Sequence, residues 1–456
     1  MKIQNVKGGY DFLPKEQKIR NYINDTLKET FLEYGYNPIE TPILCYLDIL
    51  TDKYDENNDI VKEIYKLSDQ GDRRLGLRYD LTVPFAKFIA INKNEITLPF
   101  KRFEINKVFR DGPIKVGRDR EFTQCDVDVV GLGGQLIEAE LISLYVSAFK
   151  KLDIPIDIKY NSRKLMTGLI LESGVDEELV SGVTTLIDKK DKMSDMEFKE
   201  MLLEYGLSSS IIGKLFTYFN ASLDYLKTLF MVTDNKLIKE GLEELSLLNY
   251  YLYSLGIDED CVFDSSLARG QNYYTGNVFE VYDKEKRLTG SIGGGGRYDN
   301  MITDFIKDGN EYPAVGISFG LTSIFELLKN REDFKDKGIV DFYIIPIMGE
   351  PKKAIDIYED LPAEYDEDSI IESNADIKSL EIANKLRCLG YYVELDMTGK
   401  KMKKSLDFAN KSKIPYVIII GDDEINNNVI TVKDMFNKNS FNISLDNIDS
   451  IKEYVK

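Results

Sequence analysis

The chain has 456 residues, more than one hydrophobic core usually supports, so two or three self-sufficient domains are expected. Its 59 lysines and arginines face 78 aspartates and glutamates, an excess that argues against non-specific binding to DNA or other nucleic acid while leaving room for a specific RNA partner at a local patch. The sequence contains no histidine, so the commonest general base and metal ligand is missing and any chemistry must rest on carboxylates, arginines, tyrosines, backbone amides or the substrates themselves.

Cys45, Cys125, Cys261 and Cys388 are scattered without a C-x-x-C pair and read as reduced residues of a cytoplasmic protein. No apolar run approaches a membrane span, and "MKIQNVKGGYDFLP" lacks the apolar stretch of a signal peptide, so no membrane partner is expected. Residues 15–35 carry apolar positions at helical spacing and end in Gly35, which predicts an amphipathic helix with a glycine stop. "EIYKLSDQGDRRLGLRYDLTVP" (63–84) predicts two short strands around "DQGDRR", the second ending at Asp80 and Thr82. "KRFEINKVFR" and "EFTQCDVDVV" alternate and flank a glycine- and charge-rich loop, which predicts a long-looped antiparallel hairpin. One face of its second strand carries Thr123, Cys125, Val127 and Val129; the other carries Gln124, Asp126 and Asp128. That polar face fits a solvated edge, or, with Arg110, Arg118 and Arg120 converging on the same hairpin, a surface for a zwitterion or nucleotide.

Residues 161–260 turn helical and read as a helical insertion. Strand character resumes at "GNVFEVYD", and the run Gly293–Gly296 after it suggests backbone closely approached by a ligand, or a flexible turn. "AVGISFG" then runs straight into "LTSIFELLKN", a strand entering a helix. From about residue 335 short apolar strands alternate with helices, which predicts a separate α/β domain with a largely parallel sheet. Between its first strand and first helix lies the acidic "YEDLPAEYDEDSIIES", expected as an exposed loop; further on, "GKKMKKSLDFANKSK" (399–413) packs six lysines into fifteen residues, as a solvated helix face or a phosphate-backbone contact.

The segments "GGYDFLP", "IETPIL" with Pro42, "LRYDLTVP", "VFRDGPIKVGRDREFTQCDVDVVG", "LARGQNYYTG", "GGGGRYD" and "KIPYVIIIGDDE" followed by "ITVKD" occur in the order of a known family. Over nearly its whole length the chain resembles class II aminoacyl-tRNA synthetases and, among them, the histidyl-tRNA synthetase family. The resemblance implies an α+β fold: a catalytic domain over 1–330, its antiparallel sheet flanked by helices and carrying the insertion at about 161–260, and an α/β anticodon-binding domain over 335–456. It implies histidine, ATP with Mg²⁺ and tRNA(His) as substrates and cofactors, a homodimer formed through the segment around Pro42, and two steps, formation of histidyl-adenylate and transfer to the tRNA terminus. By the same resemblance Arg110 and Arg269 hold the α-phosphate and act in catalysis, Arg118 reaches the outer phosphates, Asp80 and Thr82 take the α-amino group, Gln124 the carboxylate, and Asp128, Tyr273, Tyr274 and Tyr298 form the imidazole pocket. Two positions depart from the pattern. Thr322 and Ser323 stand where the family's third motif has Glu-Arg, Ser323 reading as a helix cap, and Asn272 stands where an acid is usual. These departures keep a second expectation open, a non-charging paralogue such as a regulatory subunit of ATP phosphoribosyltransferase.

Overall fold

A computed structural model describes residues 3–51, 59–114, 117, 119–190, 193–269, 273–331, 334, 339–347, 375–398 and 400–455. The chain divides into two compact units, one running to Leu328 without Phe12–Lys18, the other comprising that short segment and the chain from Lys329 onward.

The first unit is built on an eight-stranded sheet in the order β1-β5-β6-β11-β10-β9-β7-β8. Its strands are β1 (Asn37–Pro38), β5 (Phe100–Phe109), β6 (Glu121–Val130), β7 (Ile156–Ser162), β8 (Cys261–Phe263), β9 (Asn277–Asp283), β10 (Gly293–Arg297) and β11 (Ala314–Gly320). The six central strands run antiparallel, and only the edge strands β1 and β8 pair parallel. A small sheet, β2 (Leu44–Tyr46), β4 (Arg74–Leu77) and β3 (Lys66–Ser68), sits in the same unit.

The predicted hairpin forms as β5 and β6, closing at Phe109 and Glu121, with Arg110 one residue past the strand end. Its polar face is not a solvated edge: Asp126 and Asp128 are each 3% exposed, Asp128 held by Arg102 and Tyr298 and Asp126 beside Ser318 of β11. The glycine run is the strand β10 rather than a loop after one. Flanked on both sides, its residues make ladder bonds that need no side chain, and their missing side chains clear space over the sheet. The strand before Asp80 stops at Leu77, and Thr82 instead opens the helix Thr82–Asn92. The predicted helix over 15–35 forms as Pro14–Glu33, with Gly35 at φ +76° where the chain reverses. Between Arg163 and Ser254 the described residues form successive helices, and those from Arg163–Glu172 to Ser209–Phe219 pack around Ile170, Phe198, Leu202, Ile212 and Leu215.

The second unit holds β12 (Phe342–Pro346), β13 (Val393–Leu395), β14 (Tyr416–Ile420), β15 (Val429–Asp434) and β16 (Ser440–Ser444) in the order β13-β12-β14-β15-β16. The sheet is mixed and not largely parallel: β13, β12 and β14 run parallel, but β15 and β16 add on antiparallel. A short helix, Asp422–Asn426, and a reversal at Asn428 (φ +53°) join β14 to β15, too short a link to cross over and return parallel. The helix Ala375–Cys388 covers a core of Phe342, Ile344, Ile382, Leu386, Ile418 and Val432. The acidic stretch at 358–373 lies outside the described residues. The lysine-rich helix Met402–Lys411 buries Ser405 and Ala409 and leaves its lysines exposed.

Candidate functional site

Over the middle of the first sheet lies a narrow cavity lined by Asp80, Thr82, Gln124, Asp126, Asp128, Arg269, Tyr273, Tyr274, Gly294, Gly295, Tyr298, Gly316, Ile317 and Ser318. Eight of the residues expected from sequence therefore come together: Asp80, Thr82, Gln124, Asp128, Arg269, Tyr273, Tyr274 and Tyr298. Glycines make the floor. A methyl group at Gly316 would overlap Asp128 Oδ1, and one at Gly294 would overlap the Arg269 guanidinium, so both side chains lie flat against bare backbone.

At one end of the cavity Asp128 accepts from the Tyr298 hydroxyl at 2.5 Å and pairs with Arg102 at 2.6 Å. Arg102 is fully buried, donates to the Leu81 carbonyl at 3.2 Å and lies 4.3 Å from the Phe85 ring centre. Tyr273 packs edge-on against Tyr298, with centroids 5.9 Å apart, and tilted against Tyr274 at 4.8 Å, giving this end aromatic walls. Burial pushes the Asp128 carboxyl up, with Arg102 and the Tyr298 hydroxyl pulling it back toward the charged form.

Asp80 stands in the bend before the helix Thr82–Asn92 and accepts from the Val83 amide at 3.1 Å. Burial pushes its carboxyl up to about 6, opposed by that amide and by Arg110. Its other oxygen, Oδ2, is buried with no hydrogen-bond partner among the described residues, as is Gln124 Oε1. Gln124 turns its Nε2 toward Ser318 Oγ at 3.2 Å, so in this orientation it offers an acceptor to the cavity. Two buried acceptors left without a protein donor suit a ligand ammonium.

Arg269 occupies the far end. Asn161 on β7 donates to the carbonyls of Ser265 and Leu267, both at 3.1 Å, fixing the segment that carries it. Its Nη1 pairs with Glu280 of β9 at 2.7 Å. Burial works against its charge, but Tyr274 and Glu280 outweigh that and hold the guanidinium more basic than usual. Arg110 is next to the cavity rather than in its wall: its Nε donates to the Tyr79 carbonyl at 2.9 Å and its guanidinium lies 5.1 Å from the Phe122 ring centre. Arg118 and Asn272 lie outside the described residues.

Ser323 does not cap its helix. It is the third residue of Leu321–Leu328, and a Cβ at Gly117 would stand 3.0 Å from its Oγ, so Gly117 packs against the serine. Sequence reasoning missed Arg102, Glu280 and Ser318 and gave Asp126 no role. The hairpin itself held the signal for the first: closure at Phe109 and Glu121 sets Arg102 opposite Asp128.

The description "Histidyl-tRNA synthetase" belongs to a family model matching residues 8–324, and an "Anticodon binding domain" model matches 367–453. Histidine–tRNA ligase 1 of Bacillus cereus is 42% identical over 440 residues, covering 95% of this chain and 96% of its own length. Histidine–tRNA ligase 2 of Shouchella clausii is 39% identical over 435 residues, with 95% and 96% covered. Among solved structures, histidyl-tRNA synthetase from Nostoc sp. PCC 7120 matches with a TM-score of 0.82 at 28% identity over 100% of both chains. A Bacillus halodurans structure titled as an ATP phosphoribosyltransferase regulatory subunit/histidyl-tRNA synthetase matches at 22% identity, TM-score 0.72, covering 92% of this chain and 99% of that one, and shares the fold. With a family model spanning most of the first unit and relatives aligned end to end, the chain belongs to the histidyl-tRNA synthetase family.

Proposed function

We infer that this protein is a histidine–tRNA ligase whose sheet-floored cavity activates histidine with ATP and passes it to tRNA. The observation that carries the reading is the order of groups along the cavity: an Arg102-paired acid and three tyrosines at one end, unpaired acceptors in the middle, and a guanidinium over glycine at the other. Histidine laid in that order places its imidazole by Asp128, Tyr273, Tyr274 and Tyr298 and its ammonium by Asp80, Thr82 and the Gln124 oxygen. Its carboxylate then points toward Arg269, and Gln124 can also meet it after an amide flip.

ATP, entering as its Mg²⁺ complex, brings its α-phosphate to Arg269 and Arg110, with Arg118 toward the outer phosphates. Carboxylate attack on the α-phosphorus expels pyrophosphate, and negative charge grows on the phosphate oxygens as the bond forms. A guanidinium held by Glu280 and by Gly294 is already in place for that charge. Neither this step nor transfer to the ribose hydroxyl requires an imidazole from the protein, which fits a chain without histidine. The anticodon-binding role goes to 335–456 and acceptor-stem contact to the insertion at about 161–260, in a cytoplasmic homodimer joined around Pro42.

The test is ATP–pyrophosphate exchange with each amino acid in turn. Exchange with histidine alone, reduced by a factor on the order of 10² or more in Arg269→Ala, is the expected result. A folded dimer without exchange would overturn the reading.

A further inference from the structure

Of the three buried carboxylates in the cavity wall, Asp126 is distinguished by its partners. Arg102 gives its contact to Asp128 and Arg269 gives its contact to Glu280. Asp126 receives the Ser318 hydroxyl and a distant approach, 3.5 Å, from Gln124 Nε2, and no cation reaches contact distance of it among the described residues. Facing it are Arg102 and Glu104 from β5, Gln124 and Asp128 from β6, Ser318 from β11, Asp80 from the bend and Tyr274 from the Arg269 segment, while the Tyr145 hydroxyl donates to the Ser318 carbonyl at 2.9 Å. Asp80, Asp126 and Asp128 are at most 3% exposed; Arg102 pairs with Asp128, Arg110 acts on Asp80, and Arg269 is taken up by Glu280, so three carboxylates share two guanidinium groups. A site so unbalanced keeps a proton rather than three charges. Asp128, with Arg102 and the Tyr298 hydroxyl, is the stabilised anion, so the proton belongs to Asp126. Burial pushes the Asp126 carboxyl up to about 8; Arg102 and Ser318 oppose this, and Asp128 and Asp80 add to it.

We propose that Asp126 is a specificity residue of the histidine pocket, holding a proton that it donates to the bare nitrogen of a neutral imidazole while Asp128 accepts from the ring N–H. The proposal rests on the reading of this cavity as the histidine site. Two residues apart on one face of β6, the carboxyl groups spring from positions about 6.8 Å apart, which lets them flank a five-membered ring whose nitrogens point away from each other. A donor and an acceptor together fit the neutral ring, and an imidazolium would set its second N–H against the Asp126 O–H, donor against donor.

The experiment is calorimetric measurement of the histidine dissociation constant from pH 6.5 to 9.5 for the wild type, Asp126→Asn and Asp126→Ala, with thermal melting to check that each folds. In the wild type the constant should rise toward tenfold per pH unit above about 8, in addition to the titration of the free amino acid common to all three proteins. Asp126→Ala should weaken binding about tenfold at pH 7, and Asp126→Asn, a permanent donor of the same shape, should recover most of that loss. Both variants should lack the extra alkaline limb. An asparagine variant as weak as the alanine one, or one that keeps the limb, would overturn the role of Asp126 while leaving the histidine site standing. A wild type that binds no histidine would overturn both.

Discussion

Replacing Arg102 with methionine tests the electrostatic frame of the pocket. The guanidinium is fully buried, pairs with Asp128 at 2.6 Å and lies over Phe85 at 4.3 Å. Methionine keeps much of the stem's volume, so the loss is mainly charge. Breaking a buried pair from one side costs about 3–5 kcal/mol because the remaining charge is stranded, and the lost cation–π contact adds on the order of 1 kcal/mol. Asp128 can escape part of this by taking a proton. A stranded carboxylate has its folded-state pKa raised further above the unfolded value, so the folded state binds the extra proton. The variant's deficit should then be smallest in acid and grow with pH, by at most about 1.4 kcal/mol per unit, until the folded-state carboxyl ionises. At pH 8 a deficit of about 4 kcal/mol corresponds to roughly 10 °C of melting temperature for a unit of this size. In a double-mutant cycle, Asp128→Asn should rescue Arg102→Met, with a coupling energy of about 2–3 kcal/mol. Additivity of the two changes within about 0.5 kcal/mol, with a deficit that does not vary with pH, would refute the claim that Arg102 holds Asp128 as an anion.

Two further outcomes follow from the floor and the middle of the cavity. Gly294→Ala sets a methyl group where the Arg269 guanidinium now lies, so exchange turnover should fall about tenfold or more while the melting temperature changes little; equal loss of both would assign Gly294 to folding alone. Asp80→Asn removes a carboxyl that burial pushes up to about 6, so histidine binding in the wild type should strengthen as pH rises through that value, and the variant, weaker by about tenfold at pH 7.5, should lose that part of the acid limb; a limb unchanged against the wild type would exclude Asp80 as the ammonium's partner.

The sequence displayed the residues that touch a ligand more openly than those that hold them. Gln124, Asp126 and Asp128 alternate with Thr123, Cys125 and Val127, and alternation reports which side chains share a face without reporting whether that face meets water. Its burial follows from groups brought over it by other strands and the Tyr298 segment, Arg102, Tyr298 and Ser318, contacts between segments far apart in the chain. Arg102 was legible only through the hairpin register; alone, "KRFE" looks like any charged strand. Gly293–Gly296 pointed to close approach over bare backbone but not to a strand: glycine is a poor strand former, and here neighbouring strands on both sides override that preference. The mixed sheet of the second unit escaped because β15 and β16 are as apolar in alternation as edge strands of either direction, and the short β14–β15 link decides between them.

The position of Ser323 connects these points to ATP. An arginine at the third residue of its helix would need the space now taken by Gly117, whose positive φ of +77° suits glycine and which lies against the serine hydroxyl. The smaller residue and the close glycine are therefore one arrangement, and the cation lost at the helix has to be supplied by groups the loop and sheet already carry. On the proposed reading, Arg269 is the guanidinium that carries this demand. It is locked by Glu280, seated over Gly294 and kept charged despite burial, and its segment is tied to β7 through Asn161. A guanidinium fixed by the sheet does not depend on the helix for its position, so the proposed reading predicts that exchange survives with Ser323 in place and falls when the Glu280 pair or the glycine floor is removed.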